Sequence, residues 1–231
     1  MIKINFMDNL KELYNYFAKQ KESNWIMRPE NVQRLYQFVK ENLVKKVLEL
    51  GLGIGCSASV ISLALKEKKE TDYFIDSIEQ SIKCIDLANK IIPEELKEKI
   101  IIHNSGAAVW ETKEIPFQYF SVYDSLPEAL DYDLILIDGC SPFLSEGNYI
   151  DLPNGDIIKF LLEGKIKPNT FVAFDGRLIS LKIIERYFSN NFYLVKVDYN
   201  SDFNVIQRKD NAVHFFDEKL EFMKQAGYFN V

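Results

Sequence analysis

The chain predicts an α/β fold built on a mostly parallel sheet. From residue 46 onward, short β-rich runs alternate with helical stretches, a pattern that implies parallel strands joined by crossover helices. Two of those runs, 134–138 and 171–174, are almost wholly apolar, as expected of central strands covered on both faces. The run 192–208 reads as two strands around an Asn-Ser-Asp turn, so an antiparallel hairpin is expected to close one sheet edge.

Taken in order, residues 8–45 predict two amphipathic helices. Leu10, Leu13, Tyr14 and Phe17 share one face of the first, and Val32, Leu35, Tyr36, Phe38 and Val39 form the apolar side of the second after its Pro29–Glu30 start. Strands are then expected at 46–51, 72–79, 99–103, 133–138 and 170–176, with helices at 56–68, 80–92, 155–163 and 178–189 between them. The segment 213–226 reads as a terminal helix. With no internal repeat and no low-complexity linker, 1–231 is expected to be a single domain: a helical cap over 1–45, a core over 46–210 and a tail over 211–231.

Composition narrows the function. At 231 residues with 47% hydrophobic content the chain is long enough for a substantial core. Charges interrupt every long apolar window, and the N-terminus lacks a secretion signal, so neither a membrane segment nor export is expected. Cys56, Cys84 and Cys140 form no CxxC pair and read as reduced, partly buried thiols, which fits the cytoplasm. The net charge of −6 argues against a nucleic-acid partner, since proteins that neutralise phosphates usually carry a basic stripe.

The strongest signal is VLELGLGIGCSAS at 47–59, an apolar strand that ends near Glu49, passes through Gly51, Gly53 and Gly55, and enters a helix. Glycines allow a sharp strand-to-helix turn and let a ligand approach the backbone, while the amides of the following helix attract an anionic group. The dinucleotide fingerprint G-x-G-x-x-G would need a glycine at 56, where Cys56 stands. At the end of the next strand, Glu79 and Gln80 precede a helix, and a carboxylate there can accept both hydroxyls of a ribose. Two later strands both end in Asp-Gly, at Asp138–Gly139 and Asp175–Gly176, and strand ends in such a sheet face the ligand crevice.

The spacing E-x-G-x-G-x-G resembles motif I of the class I S-adenosylmethionine-dependent methyltransferases, and the resemblance covers residues 46–200. It implies a Rossmann-like three-layer sandwich with a seven-stranded, mostly parallel sheet. It also implies S-adenosylmethionine as cofactor: Glu49, Gly51, Gly53 and Gly55 beneath its methionine part, Glu79 and Gln80 at the ribose, and Ser105, Gly106 and Ala107 at the adenine. The last segment departs from the family's G-D-A turn, since Ser105 takes the place of the acid. Asp138 would contact the cofactor near the methyl group, with Asp138 and Asp175 as the candidate catalytic residues. The small-molecule O-methyltransferases are most similar in pattern, because both strands end in Asp-Gly. A small-molecule acceptor follows, reached at oxygen, while the NPPY and DPPY tetrads of amino-methylating families do not occur.

Catechol-type members bind a divalent cation through an Asp at strand four and an Asp-Asn pair at strand five. Here Gly176 replaces the Asn, so Asp138 and Asp175 would hold a cation such as magnesium with one protein ligand short. Neither His103 nor His214 sits in a motif, and an ordinary structural role is expected of both. Residues 111–130 and 140–155 are expected to be acceptor-lining loops, and the segment with Trp25, Met27 and Arg28 to be either a lid over the cleft or a packed helical cap without ligand contact. Two other functions fit the same pattern: an aminopropyltransferase of the spermidine-synthase type, with Ser141 where its second acid would be, and a non-catalytic nucleotide-binding module. The oligomeric state is left open, a homodimer included.

Overall fold

The computed structural model describes residues 10–116, 119–127, 131–140, 152–198 and 200–210. The expected terminal helix, His214 and Ser141 lie outside them, as does the side chain of Trp25.

The first two helices are α1 (Leu10–Ala18) and α2 (Pro29–Glu41), with a single 3-10 turn, Ser23–Trp25, between them. There follow β1 (Lys46–Leu50), α3 (Cys56–Glu67), β2 (Phe74–Glu79), α4 (Ile82–Ile91), the short α5 (Glu94–Lys97) and β3 (Ile100–Asn104). Next come β4 (Ala107–Glu111), β5 (Tyr119–Tyr123), β6 (Leu134–Ile137), α6 (Asp156–Leu162), β7 (Phe171–Asp175), α7 (Leu178–Tyr187), β8 (Phe192–Lys196) and β9 (Phe203–Arg208). Pro29 opens α2 at a position where a missing N–H costs nothing, and the Ser81 hydroxyl caps α4 by accepting from the Cys84 amide.

Seven strands form one sheet in the order β3-β2-β1-β6-β7-β9-β8. β1 pairs in parallel with β2 on one side and β6 on the other, so the strand order reverses between β1 and β6. β9 runs antiparallel to both β7 and β8, which is the expected hairpin. Side chains alternate across the sheet with the two-residue period of a strand. Val47, Leu134 and Leu136 enter a core shared with α1, α2 and α3, while Leu48, Leu50, Ile135 and Ile137 enter a second core with α6 and α7.

Helix α3 lies between the sheet and the first two helices, which explains why every residue from Cys56 to Leu65 is buried. Its serines are satisfied within the core: Ser59 Oγ donates to Gly55 O at 2.7 Å and Ser62 Oγ to Leu96 O at 2.9 Å.

The segment 111–130 departs from the loop expected of it. Tyr119–Tyr123 is β5, paired antiparallel with β4 in a separate two-stranded sheet. Burial of Phe120 against Trp110, ring centroids 5.7 Å apart, gives the physical reason, and places Trp110 in a packing role. Among the described residues no helix is long and apolar enough to cross a membrane.

Candidate functional site

The switch between β1 and β6 brings three strand ends and the glycine turn together, at the place where open α/β sheets bind ligands. Gly51, Gly53 and Gly55 all have positive φ. Gly51 packs directly against backbone: a Cβ there would come 2.4 Å from the Gly139 amide nitrogen, and one on Gly139 would come 2.9 Å from the Gly51 Cα. The bare backbone at Gly51 therefore serves the close approach of the corner after β6. Gly55 precedes α3, its amide donating to Leu52 O at 2.9 Å.

Glu79 joins the glycine turn to the next loop. Its Oε2 accepts from the Gly53 amide at 2.8 Å and its Oε1 from the Ser81 amide at 2.8 Å. Burial pushes its carboxyl above the usual range, and these amides pull the other way. Gln80 follows it directly. The third loop meets the same strand end, because Asn104 Nδ2 and the Ser105 amide both donate to Glu79 O. Ser105 Oγ accepts from the Ser125 amide at 2.9 Å, and Gly106 O from the Asp124 amide at 3.0 Å, which fixes the turn before Ala107 opens β4.

Glu49 is fully buried on β1. Its Oε2 accepts from Ser77 Oγ at 2.6 Å, whereas its Oε1 has no hydrogen-bond partner. Burial pushes this carboxyl up to about 7, against the opposing pull of the Ser57 and Ser77 hydroxyls.

Asp138 and Asp175 come together at the ends of β6 and β7. Burial first, and then the charge of Asp175, hold the Asp138 carboxyl well above the ordinary value, with Arg177 opposing. Asp175 accepts a 2.6 Å hydrogen bond from Asn31 Nδ2. Burial pushes Asp175 up to about 6, and Asp202 adds to the rise, while Asn31, Arg177 and Arg28 counter it. The backbone of the β6 corner is tied down: the Asp138 and Gly139 amides donate to Leu50 O at 2.9 and 2.5 Å, and Arg177 Nε donates to Asp138 O at 3.0 Å.

The expected lid residues divide. Met27 is buried in the core beneath the cap, and Arg28 forms a 2.5 Å ion pair with Asp202 in the hairpin connection. Sequence reasoning missed Asn31, Arg177 and Asn154. Only Arg177 carried a signal, following directly on Asp175–Gly176.

His103 bonds to Asp76 Oδ1 at 2.7 Å, and Asp76 Oδ2 accepts from Tyr132 Oη at 2.7 Å, so the histidine belongs to a hydrogen-bonded triad that links β3, β2 and the segment just before β6. All three cysteines are free and buried. Among the described residues, no group of three or more His, Cys, Asp or Glu is arranged to hold a metal ion.

No protein-family model and no curated protein matches the chain. Solved structures do. An SAH-bound methyltransferase from Podospora anserina is 14% identical over 88% of this chain and 88% of its own, with a TM-score of 0.57. An O-methyltransferase from Bacillus cereus in complex with SAH is 13% identical over 87% of this chain and 90% of its own, with a TM-score of 0.55. The chain shares their fold. The same holds for the O-methyltransferase TomG of Streptomyces achromogenes, involved in tomaymycin synthesis and solved in complex with SAM: 10% identity, 87% and 89% coverage, TM-score 0.54.

Proposed function

We propose that this chain binds S-adenosylmethionine at the β1–β6 switch and transfers its methyl group to the oxygen of a small-molecule acceptor. The observation that carries the reading is the junction of Gly53 and Glu79, where the glycine turn and the strand-end acid meet through a 2.8 Å hydrogen bond. The solved structures of the same fold named above include proteins crystallised with SAH or SAM.

The residues fit that cofactor. Glu79 Oε2 accepts from the Gly53 amide and Oε1 from the Ser81 amide, and a carboxylate's several lone-pair sites would still serve a ribose hydroxyl, beside Gln80. Glu49 is fully buried near the end of β1, bonded to Ser77 and subject to the pull of the Ser57 hydroxyl, and would underlie the glycine turn from below. Gly51, Gly53 and Gly55 would underlie the methionine part, and Ser105, Gly106 and Ala107 would pack against the adenine. When bound, the cofactor supplies an electrophilic methyl carbon on a sulfonium.

The chain's own share is alignment and proton management. Asp138 and Asp175 stand at adjacent strand ends, and a carboxylate raised toward neutrality is a stronger base for an acceptor hydroxyl. Alignment of acceptor and methyl group supplies much of the remaining acceleration. The three free, buried cysteines support a cytoplasmic enzyme, and the net charge of −6 supports a small-molecule acceptor over a nucleic acid.

Calorimetric titration with SAM, SAH and NAD tests the cofactor, and release of SAH over a panel of catechols, phenols and aliphatic alcohols tests the reaction. Micromolar binding of SAM and SAH without NAD binding is expected. No SAM binding at millimolar concentration, or preferential NAD binding, overturns the proposal.

A further inference from the structure

The two residues of the corner after β6, Asp138 and Gly139, have all four backbone polar groups bonded. Both amides donate to Leu50 O. The carbonyl of Asp138 accepts from Arg177 Nε at 3.0 Å and also from Arg177 Nη2. The carbonyl of Gly139 accepts from Asn154 Nδ2 at 2.9 Å. The amide bonds belong to the sheet, but the carbonyl bonds come from side chains of two separate segments.

Asn154 is itself rigidly placed. Its Nδ2 also donates to Asp156 Oδ2 at 2.7 Å, its Oδ1 accepts from the Asp156 amide at 3.1 Å, and Asp156 Oδ1 accepts from the Tyr123 amide at 3.1 Å. Around it, the Ser121 amide donates to Pro153 O at 3.0 Å and the Gly155 amide to Ser121 O at 2.8 Å, so the segment is bound to β5. Asn154 and Asp156 are 1% and 0% exposed, which makes the amide a built strut between β5 and the corner.

We infer that Asn154 and Arg177 are positioning residues, which clamp the Gly139 and Asp138 carbonyls and thereby set the direction of the Asp138 carboxylate beside Asp175. Its catalytic consequence rests on the methyl-transfer reading; the clamp is a property of the free chain. A side chain's direction follows its backbone, and misplacement of a reacting group by about 1 Å costs on the order of a hundredfold in rate.

Three readouts on the full chain test the clamp: amide hydrogen exchange of residues 134–140, SAH affinity by calorimetry, and turnover with the best acceptor from the hydroxyl panel. Asn154→Ala is expected to speed exchange at Asp138 and Gly139 about tenfold with β1 unchanged, as local opening requires. It should lower kcat about a hundredfold and leave the SAH Kd and acceptor KM within about threefold. Arg177→Met should act likewise, with Arg177→Lys recovering part of the loss because one donor and the charge remain.

Unchanged exchange in the folded variants overturns the clamp. An equal loss of SAH affinity and turnover overturns the positioning role, because the corner would then be a cofactor contact. Should Asn154→Ala fail to fold, the half-buried Arg177 and its two variants decide by the same readouts. A wild-type chain that neither binds SAH nor turns over sinks the methyl-transfer reading instead, and the exchange measurement still judges the clamp.

Discussion

Asn31, in the first turn of α2, donates a 2.6 Å hydrogen bond to Oδ1 of Asp175, which lies 144 residues later at the end of β7. The same seam carries the Arg28–Asp202 ion pair and a hydrogen bond from Arg34 to Ser201. The N-terminal cap is thus sewn to the strand ends, and its contribution to the site is a donor on a candidate catalytic acid.

Removing that donor should be visible in the pH profile. Asn31→Ala takes away a bond that favours the ionised Asp175, so its carboxyl should rise above about 6. Because a base works only when deprotonated, the acid limb of the kcat profile should move to higher pH. Folding stability should fall by about 1–3 kcal/mol, measured by urea unfolding. An unmoved acid limb in a folded variant would separate Asp175 from proton transfer.

Gly51 and Gly176 both have positive φ, yet alanine should cost very different amounts at the two positions. At Gly51 the new Cβ meets the Gly139 backbone at 2.4 Å, whereas at Gly176 nothing lies within 4 Å. Gly176→Ala should cost about 1–2 kcal/mol for the left-handed conformation alone. Gly51→Ala should cost well beyond that or prevent folding, since backbone cannot yield as a side chain does. Paired urea melts make the comparison.

Glu79→Gln should weaken SAM and SAH together. Its amide nitrogen cannot accept the Gly53 or Ser81 N–H that one carboxylate oxygen now binds, and the charge is lost. A drop in affinity of about tenfold or more is expected by calorimetry, in proportion to one or two charge-assisted hydrogen bonds. Wild-type affinity would remove Glu79 from the cofactor site.

Glu49 makes a stability prediction. Its folded carboxyl is pushed up to about 7 from an ordinary value of 4.5, so the folded chain holds that proton more tightly than the unfolded one. Its stabilising contribution is full below about pH 4.5 and is lost as pH rises through about 7. Glu49→Gln should therefore match wild type in acid and exceed it above neutrality, by an amount on the order of 3 kcal/mol at most. The slope should shrink without vanishing, because buried Asp156 is also pushed up to about 7 and remains. Urea melts from pH 4 to 8 would reveal parallel curves if Glu49 carried no such shift.

Much of this architecture was legible from local pattern. The strands at 46–50, 134–137 and 171–175, the glycine turn, Glu79 and the hairpin were all readable, because apolar periodicity and turn chemistry act over a few neighbouring residues. β5 was not, since YFSVY acquires its strand character from pairing with β4 and from the burial of Phe120.

The sequence alone determined which residues end the central strands, and so which carboxylates and glycines reach the carboxyl-terminal edge of the parallel strands; the strand period and the absent Cβ are properties of the local chain. Only the tertiary structure decided what holds them. Asn31, Asn154 and Arg177 reach Asp175, Gly139 and Asp138 through contacts that exist only once the segments have packed. Gly51 needs its bare backbone because the β6 corner arrives against it. Contacts of that kind follow from which surfaces bury against which, and no spacing along the chain encodes them by itself.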